Sequence, residues 1–273
     1  MLPARIAELL EPYVGKADER LAANDLERIS TYIDILRRWN ARINLTSIRD
    51  EEQIVTRHFG ESLFAARILF PGRDPVGTAA LGCPAGQSSA ATDSNVAQVV
   101  EGLHNRQVHR GSADLQGRTA AREEGASAPA VADVGSGAGF PGIPIKLWAP
   151  AIRLTLIESN QKKATFLKEV ARTLTLMDID IQAARAETLP ASACDIVTLR
   201  AVERFESILP IAARLVAPGG RLVLLIGCAQ RALAKSTLPN FTWQEPIPIP
   251  SSQARILAIA TKTGSGALGE PRK

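Results

Sequence analysis

Residues 133–144 read DVGSGAGFPGIP, directly after the apolar run Ala130-Val131-Ala132, with glycine at positions 135, 137, 139 and 142. An apolar run, a glycine turn and a helix start in that order mark the edge of a doubly wound sheet where nucleotides bind. Glycine permits positive φ and close approach of other groups to the backbone. The details exclude two familiar fingerprints. A dinucleotide turn, GxGxxG, needs glycine where Phe140 stands, and a triphosphate loop needs Gly-Lys followed by Ser or Thr. The pattern is instead GxGxG, formed by Gly135, Gly137 and Gly139.

The next apolar run, RLTLIE at 153–158, ends in an acid, Glu158. A carboxylate at the end of the second strand can accept hydrogen bonds from both hydroxyls of a ribose. Asn160 is then placed to cap the following helix. An adenosine ligand without a pyrophosphate points to S-adenosyl-L-methionine, with its methionine part over the glycine turn and its ribose on Glu158. Ala186 and Glu187 follow the third strand candidate, where the adenine edge would fall, read by backbone and a carboxylate.

Around this turn the chain organises itself. Apolar runs at 130–134, 153–158, 179–184, 194–200 and 221–227 alternate with helical stretches, notably 161–174 and 203–217. That alternation predicts an α/β fold, a parallel sheet covered on both faces. The proline-rich return Pro246–Pro250 precedes a last strand, RILAIATKT, expected to add antiparallel at the sheet edge. Residues 1–71 are expected to be helical. Leu26, Ile29, Ile33, Leu36 and Ile43 keep helical spacing behind Asn24-Asp25, and a second helix starts near Asp50-Glu51-Glu52. Residues 72–129 are rich in Gly, Ala and Ser and cannot bury enough apolar surface to offset their ordering entropy. They read as a flexible low-complexity insertion with a short helix near 94–103. The cofactor-binding domain is then expected over 130–265 and the tail over 266–273.

Composition sets the outer limits. The net charge of +4 is uneven, since residues 131–273 carry 17 basic and 11 acidic side chains. A basic C-terminal half suits a polyanion or merely a soluble surface. Cys83, Cys194 and Cys228 fit neither a zinc site nor a disulfide framework, so no metal is expected and the expected compartment is reducing. No apolar run reaches the roughly 20 residues of a membrane span. The expectation is a cytoplasmic protein with no membrane partner, a monomer.

The stretches DVGSGAGFPGIP, LTLIESNQKKATFLKEV, ARAE and LRA, with LRRWNARINLTSIRDEEQIVTRHFGESL upstream, resemble the RsmG (GidB) family of bacterial 16S ribosomal RNA guanine-N7 methyltransferases. The resemblance covers about 26–70 and 131–227. It implies a Rossmann-like, seven-stranded class I methyltransferase sheet behind a helical N-terminal region. It also implies S-adenosyl-L-methionine as donor, and 16S rRNA of the small ribosomal subunit as partner. The family's cofactor contacts fall on Gly135, Gly137 and Phe140, on Glu158, Ser159 and Asn160, on Ala186 and Glu187, and on Arg200. Three positions depart from the family pattern: Leu199 replaces Ser, Val202 replaces Phe, and Ile226 replaces Lys at the end of the fifth strand.

Guanine N7 carries a lone pair and no proton, so its methylation needs no general base. The catalytic residue is therefore left unassigned, with Arg200 as a positioning candidate that could donate to guanine O6 or to phosphate. Phe140-Pro141 is expected to wall the methyl, and His58 to make a structural hydrogen bond. Arg37, Arg38 and Arg42, beside Trp39, are RNA-binding candidates, as are Lys162 and Lys163. Two alternatives stay open: a methyltransferase of another substrate, and a catalytically impaired RNA-binding relative.

Overall fold

A computed structural model describes residues 1–15, 21–71, 127–201 and 204–264. Residues 72–126 of the expected insertion, with its helix near 94–103, Val202 and the tail 266–273 lie outside the described residues.

The apolar runs form one sheet. Strands β1 (Ala130–Val134), β2 (Arg153–Ile157), β3 (Ile179–Gln182), β4 (Cys194–Arg200) and β5 (Val216–Gly227) run parallel in the order β3-β2-β1-β4-β5. The order reverses at β1, so the crevice that binds ligands in such sheets lies beyond the C-terminal end of β1. Beyond β5 the sheet continues antiparallel through β8 (Arg255–Lys262) to β6 (Phe241–Trp243), and the two-residue β7 (Ile247–Pro248) also pairs with β8. RILAIATKT is thus antiparallel as expected, but it lies inside the sheet and not at its edge, because β6 pairs along its outer side. β6 and β7 escape a pattern reading because they are only three and two residues long.

Alternate side chains of each strand enter opposite layers. Val131, Leu154, Leu156, Ile196, Val223, Leu225 and Leu257 share one core with the helices α5 (Gly142–Trp148) and α6 (Gln161–Thr173). Ala132, Val134, Val197, Leu199, Leu222, Leu224 and Ile226 face a second layer that holds α7 (Phe205–Leu215) and α8 (Gln230–Thr237). Leu199 and Ile226 are therefore core residues packed in the same layer, with their side chains away from the face that carries Arg200.

The N-terminal region completes the first layer. It comprises α1 (Pro3–Val14), α2 (Ala23–Asn40), α3 (Glu51–Gln53), a π-helical segment (Ile54–Gly60) and α4 (Glu61–Leu69). Pro3 sits in the first turn of α1, where a missing N–H costs nothing. The Asp25 carboxylate returns to the Ala22 amide at 3.2 Å, and Asp50 accepts from Gln53 N at 2.8 Å, so both acids start their helices. Ile6, Leu10, Ile29, Ile33, Leu36, Phe59 and Leu63 belong to the same core as Val131, Leu154 and Leu167. The helical region is thus joined to the sheet through a shared apolar interior. The π-helical segment was not foreseen, since its residues carry an ordinary helical pattern.

Candidate active site at the C-terminal edge of the sheet

The glycine turn has two halves with different neighbours. Gly135, Gly137 and Gly139 all have positive φ, 69°, 55° and 85°. A Cβ on Gly137 would meet nothing closer than the Gly135 carbonyl at 3.8 Å, so that side is open to a ligand. A Cβ on Gly139 would overlap the Tyr32 hydroxyl and lie 2.7 Å from Ile143 Cδ1. On Gly142 it would lie 2.6 Å from Leu156 Cδ2 and 2.9 Å from Asp133 Oδ2. Gly137 thus leaves room above the turn, while Gly139 admits Tyr32 of α2 and Gly142 admits Leu156 and Asp133 of the first two strands.

Phe140 belongs to the second half. Its ring is buried, stacked on Tyr32 at 5.4 Å and on His58 at 4.8 Å, with Phe59 edge-on at 5.0 Å. The ring points into the helical region and fastens the turn to it. Pro141 follows through a cis peptide.

Asp133, at the end of β1, anchors the turn from below. Its Oδ1 accepts from Thr198 Oγ1 at 2.8 Å and its Oδ2 from Gly142 N at 3.2 Å. Complete burial outweighs these bonds and raises its pKa from 3.8 to about 6. The sequence reading missed Asp133, although an acid two residues before the first glycine was in plain view.

The candidate cofactor residues converge on three adjacent strand ends. Glu158, buried at the end of β2, accepts from Gly137 N at 2.9 Å and from Asn160 N at 2.8 Å. One carboxylate therefore ties the glycine turn to the start of α6. Ser159 and Asn160 are exposed beside it, and Asn160 caps α6 by accepting from Lys162 N and Lys163 N. Gln161 Nε2 donates to Ala183 O at 3.4 Å, bringing the segment after β3 alongside. Ala186 is buried in a 3₁₀ turn (Ala186–Thr188), while Glu187 is exposed. These residues fit the donor inferred from the sequence. A carboxylate has about four acceptor positions, and Glu158 uses two for the backbone, leaving two for a ribose.

Arg200 stands apart from that group, at the end of β4 on the other side of β1. Its Nη1 lies 3.0 Å from His58 Nδ1, and its Nη2 lies 2.7 Å from the Arg57 carbonyl and 3.4 Å from Glu61 Oε2. Arg255 Nη2 reaches the same Glu61 oxygen at 2.9 Å. Burial lowers the Arg200 pKa to about 10, which leaves it charged at neutral pH. The expected donation to guanine O6 or phosphate is not the arrangement found, because both terminal nitrogens are bound internally. These contacts fasten β4 to the helical region, and the buried Nε of Arg200 has no hydrogen-bond partner among the described residues. His58 makes the expected structural hydrogen bonds. Arginine only donates, so Nδ1 must accept and Nε2 carries the proton toward Thr46 Oγ1, 2.8 Å away. Burial, then the charges of Arg200, Arg57 and Arg255, lower its pKa to about 3, so the ring is neutral. Glu61 and Arg255 were missed, since their charges meet only when β8 is laid beside β5.

The RNA-binding candidates occupy two neighbouring elements. Arg37, Arg38 and Arg42 are exposed at the end of α2, and Arg37 is paired with Glu51. Lys162 is exposed and Lys163 half-buried at the start of α6. Trp39 does not offer a free stacking surface. Its Nε1 donates to Glu169 at 2.9 Å and its ring packs edge-on against Phe166, joining α2 to α6. Among the described residues no helix is long and apolar enough to cross a membrane.

A parallel sheet reversed at β1, an antiparallel end, a GxGxG turn and an acid closing β2 define a Rossmann-like class I methyltransferase dependent on S-adenosylmethionine. The family model for GidB, rRNA small subunit methyltransferase G, matches residues 25–91 and 118–245, and the chain belongs to that family. Ribosomal RNA small subunit methyltransferase G of Roseiflexus castenholzii is 30% identical, covering 93% of this chain and 90% of its own. The proteins of that name from Halorhodospira halophila and Xanthomonas axonopodis are 32% and 29% identical. They cover 80% and 93% of this chain, and 77% and 98% of their own. The family match stops at 91 and resumes at 118, inside the stretch read as an insertion.

Proposed function

We propose that this protein transfers the methyl group of S-adenosyl-L-methionine to N7 of a guanine in 16S rRNA of the small ribosomal subunit. The observation that carries the reading is the Glu158 carboxylate, held by the amides of Gly137 and Asn160 at 2.9 and 2.8 Å beside the open face of Gly137. Family membership supplies the rRNA substrate.

The bound donor supplies an electrophilic methyl on a sulfonium. Gly135 and Gly137 offer main chain to its methionine end, Glu158 receives the ribose hydroxyls, and Ala186 with Glu187 borders the adenine. The chain need supply no base, because N7 has a free lone pair and no proton to lose. His58 agrees with this, since both ring nitrogens are engaged and the ring stays neutral. The protein's contribution is orientation of N7 in line with the methyl, an effect that can reach about 7–11 kcal/mol. Arg38 at the end of α2, Arg42 in the turn after it and Lys162 at the start of α6, all exposed, would hold the phosphate backbone and set its register.

The test is transfer of labelled methyl to small subunits that lack the modification, with the product nucleoside identified by mass spectrometry. 7-Methylguanosine in 16S rRNA is the expected product. A different methylated nucleoside would replace the N7 assignment, and the absence of any transfer would sink the reading.

A further inference from the structure

The 3₁₀ turn at Ala186–Thr188 is suspended from one helix end. Arg214, in the last turn of α7, places Nη2 3.1 Å from Ala186 O, 3.0 Å from Glu187 O and 2.9 Å from Leu189 O. The main chain of the same helix end holds the residues that follow. Ser192 N donates to Arg214 O at 2.9 Å, and Ala193 N donates to Leu215 O at 3.0 Å. Both the turn and its exit are therefore fixed to the C-terminus of α7.

This has a directional consequence. In a trans peptide the carbonyl and the following amide point opposite ways. Turning the Ala186 carbonyl toward Arg214 turns the Glu187 N–H away from it. The first N–H groups of a helical turn have no partner within it. Thr188 N and Leu189 N donate within the turn, whereas the amides of Ala186 and Glu187 reach no carbonyl among the described residues. A guanidinium on the carbonyl side polarises these peptides and strengthens the opposed amides as donors.

We propose that Arg214 is a positioning residue for recognition of the adenine base. It never touches the base. It orients the Ala186–Glu187 backbone so that an amide can donate to a ring nitrogen while the Glu187 carboxylate accepts from the exocyclic amine. This rests on the reading of 135–187 as the cofactor cleft.

The test compares Arg214→Met and Arg214→Lys with the wild-type protein. Calorimetry gives the affinities for S-adenosylhomocysteine and S-inosylhomocysteine, whose base has a protonated N1 and no amine. The wild type should favour the adenosyl compound strongly. Arg214→Met should weaken adenosyl binding by about tenfold and bring the ratio of the two affinities toward one. Arg214→Lys, with a compact ammonium in place of the planar fork, should fall between. In turnover, KM for the donor should rise about tenfold while kcat at saturation stays within about twofold. If Arg214→Met does not fold, the lysine variant carries the comparison. A folded variant with the wild-type ratio overturns the proposal and leaves the cofactor reading intact. Wild-type protein that binds both equally overturns the proposal alone, whereas wild-type protein that binds neither overturns the two together.

Discussion

Tyr32 and Phe140 lie face to face, with ring centroids 5.4 Å apart and planes 6° apart, and the Tyr32 hydroxyl donates to Ala138 O at 2.5 Å. A residue in the middle of α2 thus holds both a side chain and a carbonyl of the turn after β1. Tyr32→Phe should keep the stack and leave a buried carbonyl unsatisfied, costing about 1–3 kcal/mol. Tyr32→Ala should cost about 3–5 kcal/mol through the cavity. Urea unfolding measures both. S-adenosylhomocysteine affinity should fall more for Ala than for Phe, because only Ala releases Phe140.

The two halves of the glycine turn predict opposite phenotypes. Gly137→Ala meets open space and should cost stability only through its positive φ, about 1–2 kcal/mol. Its methyl group would enter the open face proposed for the donor, so cofactor affinity should drop sharply. Gly139→Ala drives a methyl into the Tyr32 hydroxyl and Ile143, and should unfold the protein at lower denaturant before any binding defect is measurable. Equal thermal shifts for the two variants would contradict this division.

Removing Arg200 should act on stability first. Breaking a buried pair by deleting one partner typically costs about 3–5 kcal/mol. Arg200→Met leaves Glu61 paired with Arg255 among the described residues and frees His58 Nδ1. The expected result is a large fall in the unfolding midpoint with near-normal S-adenosylhomocysteine affinity in the protein that remains folded. A binding loss without a stability loss would restore Arg200 to the site.

Asp133 and His58 titrate with opposite effects on stability. Asp133 is raised from 3.8 to about 6, so the folded state holds its proton more tightly than the unfolded chain. Its contribution is present below about pH 4 and is lost as pH rises through 6. His58 is lowered from 6.5 to about 3, so its contribution is present above pH 6.5 and is lost on acidification toward pH 3. Between pH 6.5 and 4 the two oppose one another. Asp133→Asn removes the compensating group, so the variant should lose stability on acidification more steeply than the wild type. The difference should approach about 3 kcal/mol, from a shift of about two units. Parallel curves of unfolding free energy against pH would rule out a raised Asp133.

Charge reversal at Arg38 or Lys162 should weaken binding to 16S rRNA several-fold and lower the salt dependence by about one unit of slope each. Affinity for S-adenosylhomocysteine should change far less, because both side chains are exposed and neither is among the cofactor candidates. Filter binding at several salt concentrations gives both quantities for the RNA.

The succession of strands along the chain and the cofactor edge could be read from the sequence because both are local. DVGSGAGFPGIP, the acid at 158 and the cap at 160 each lie within one strand-turn-helix unit, where periodicity and glycine spacing carry the information. Tertiary structure decided what those spacings could not. Phe140 and Arg200 look like ligand contacts along the chain, but Tyr32, His58 and Glu61 come from distant parts of the sequence to pack or pair with them. Trp39 looks like a stacking surface until Glu169 and Phe166 close over it. Arg214, with no motif of its own, gains its role only when the end of α7 is laid under the turn at 186. The sequence by itself determined the sheet and which edge of it binds. Which side chains at that edge face a ligand and which face the protein was decided by long-range packing, since burial depends on what the rest of the chain brings alongside.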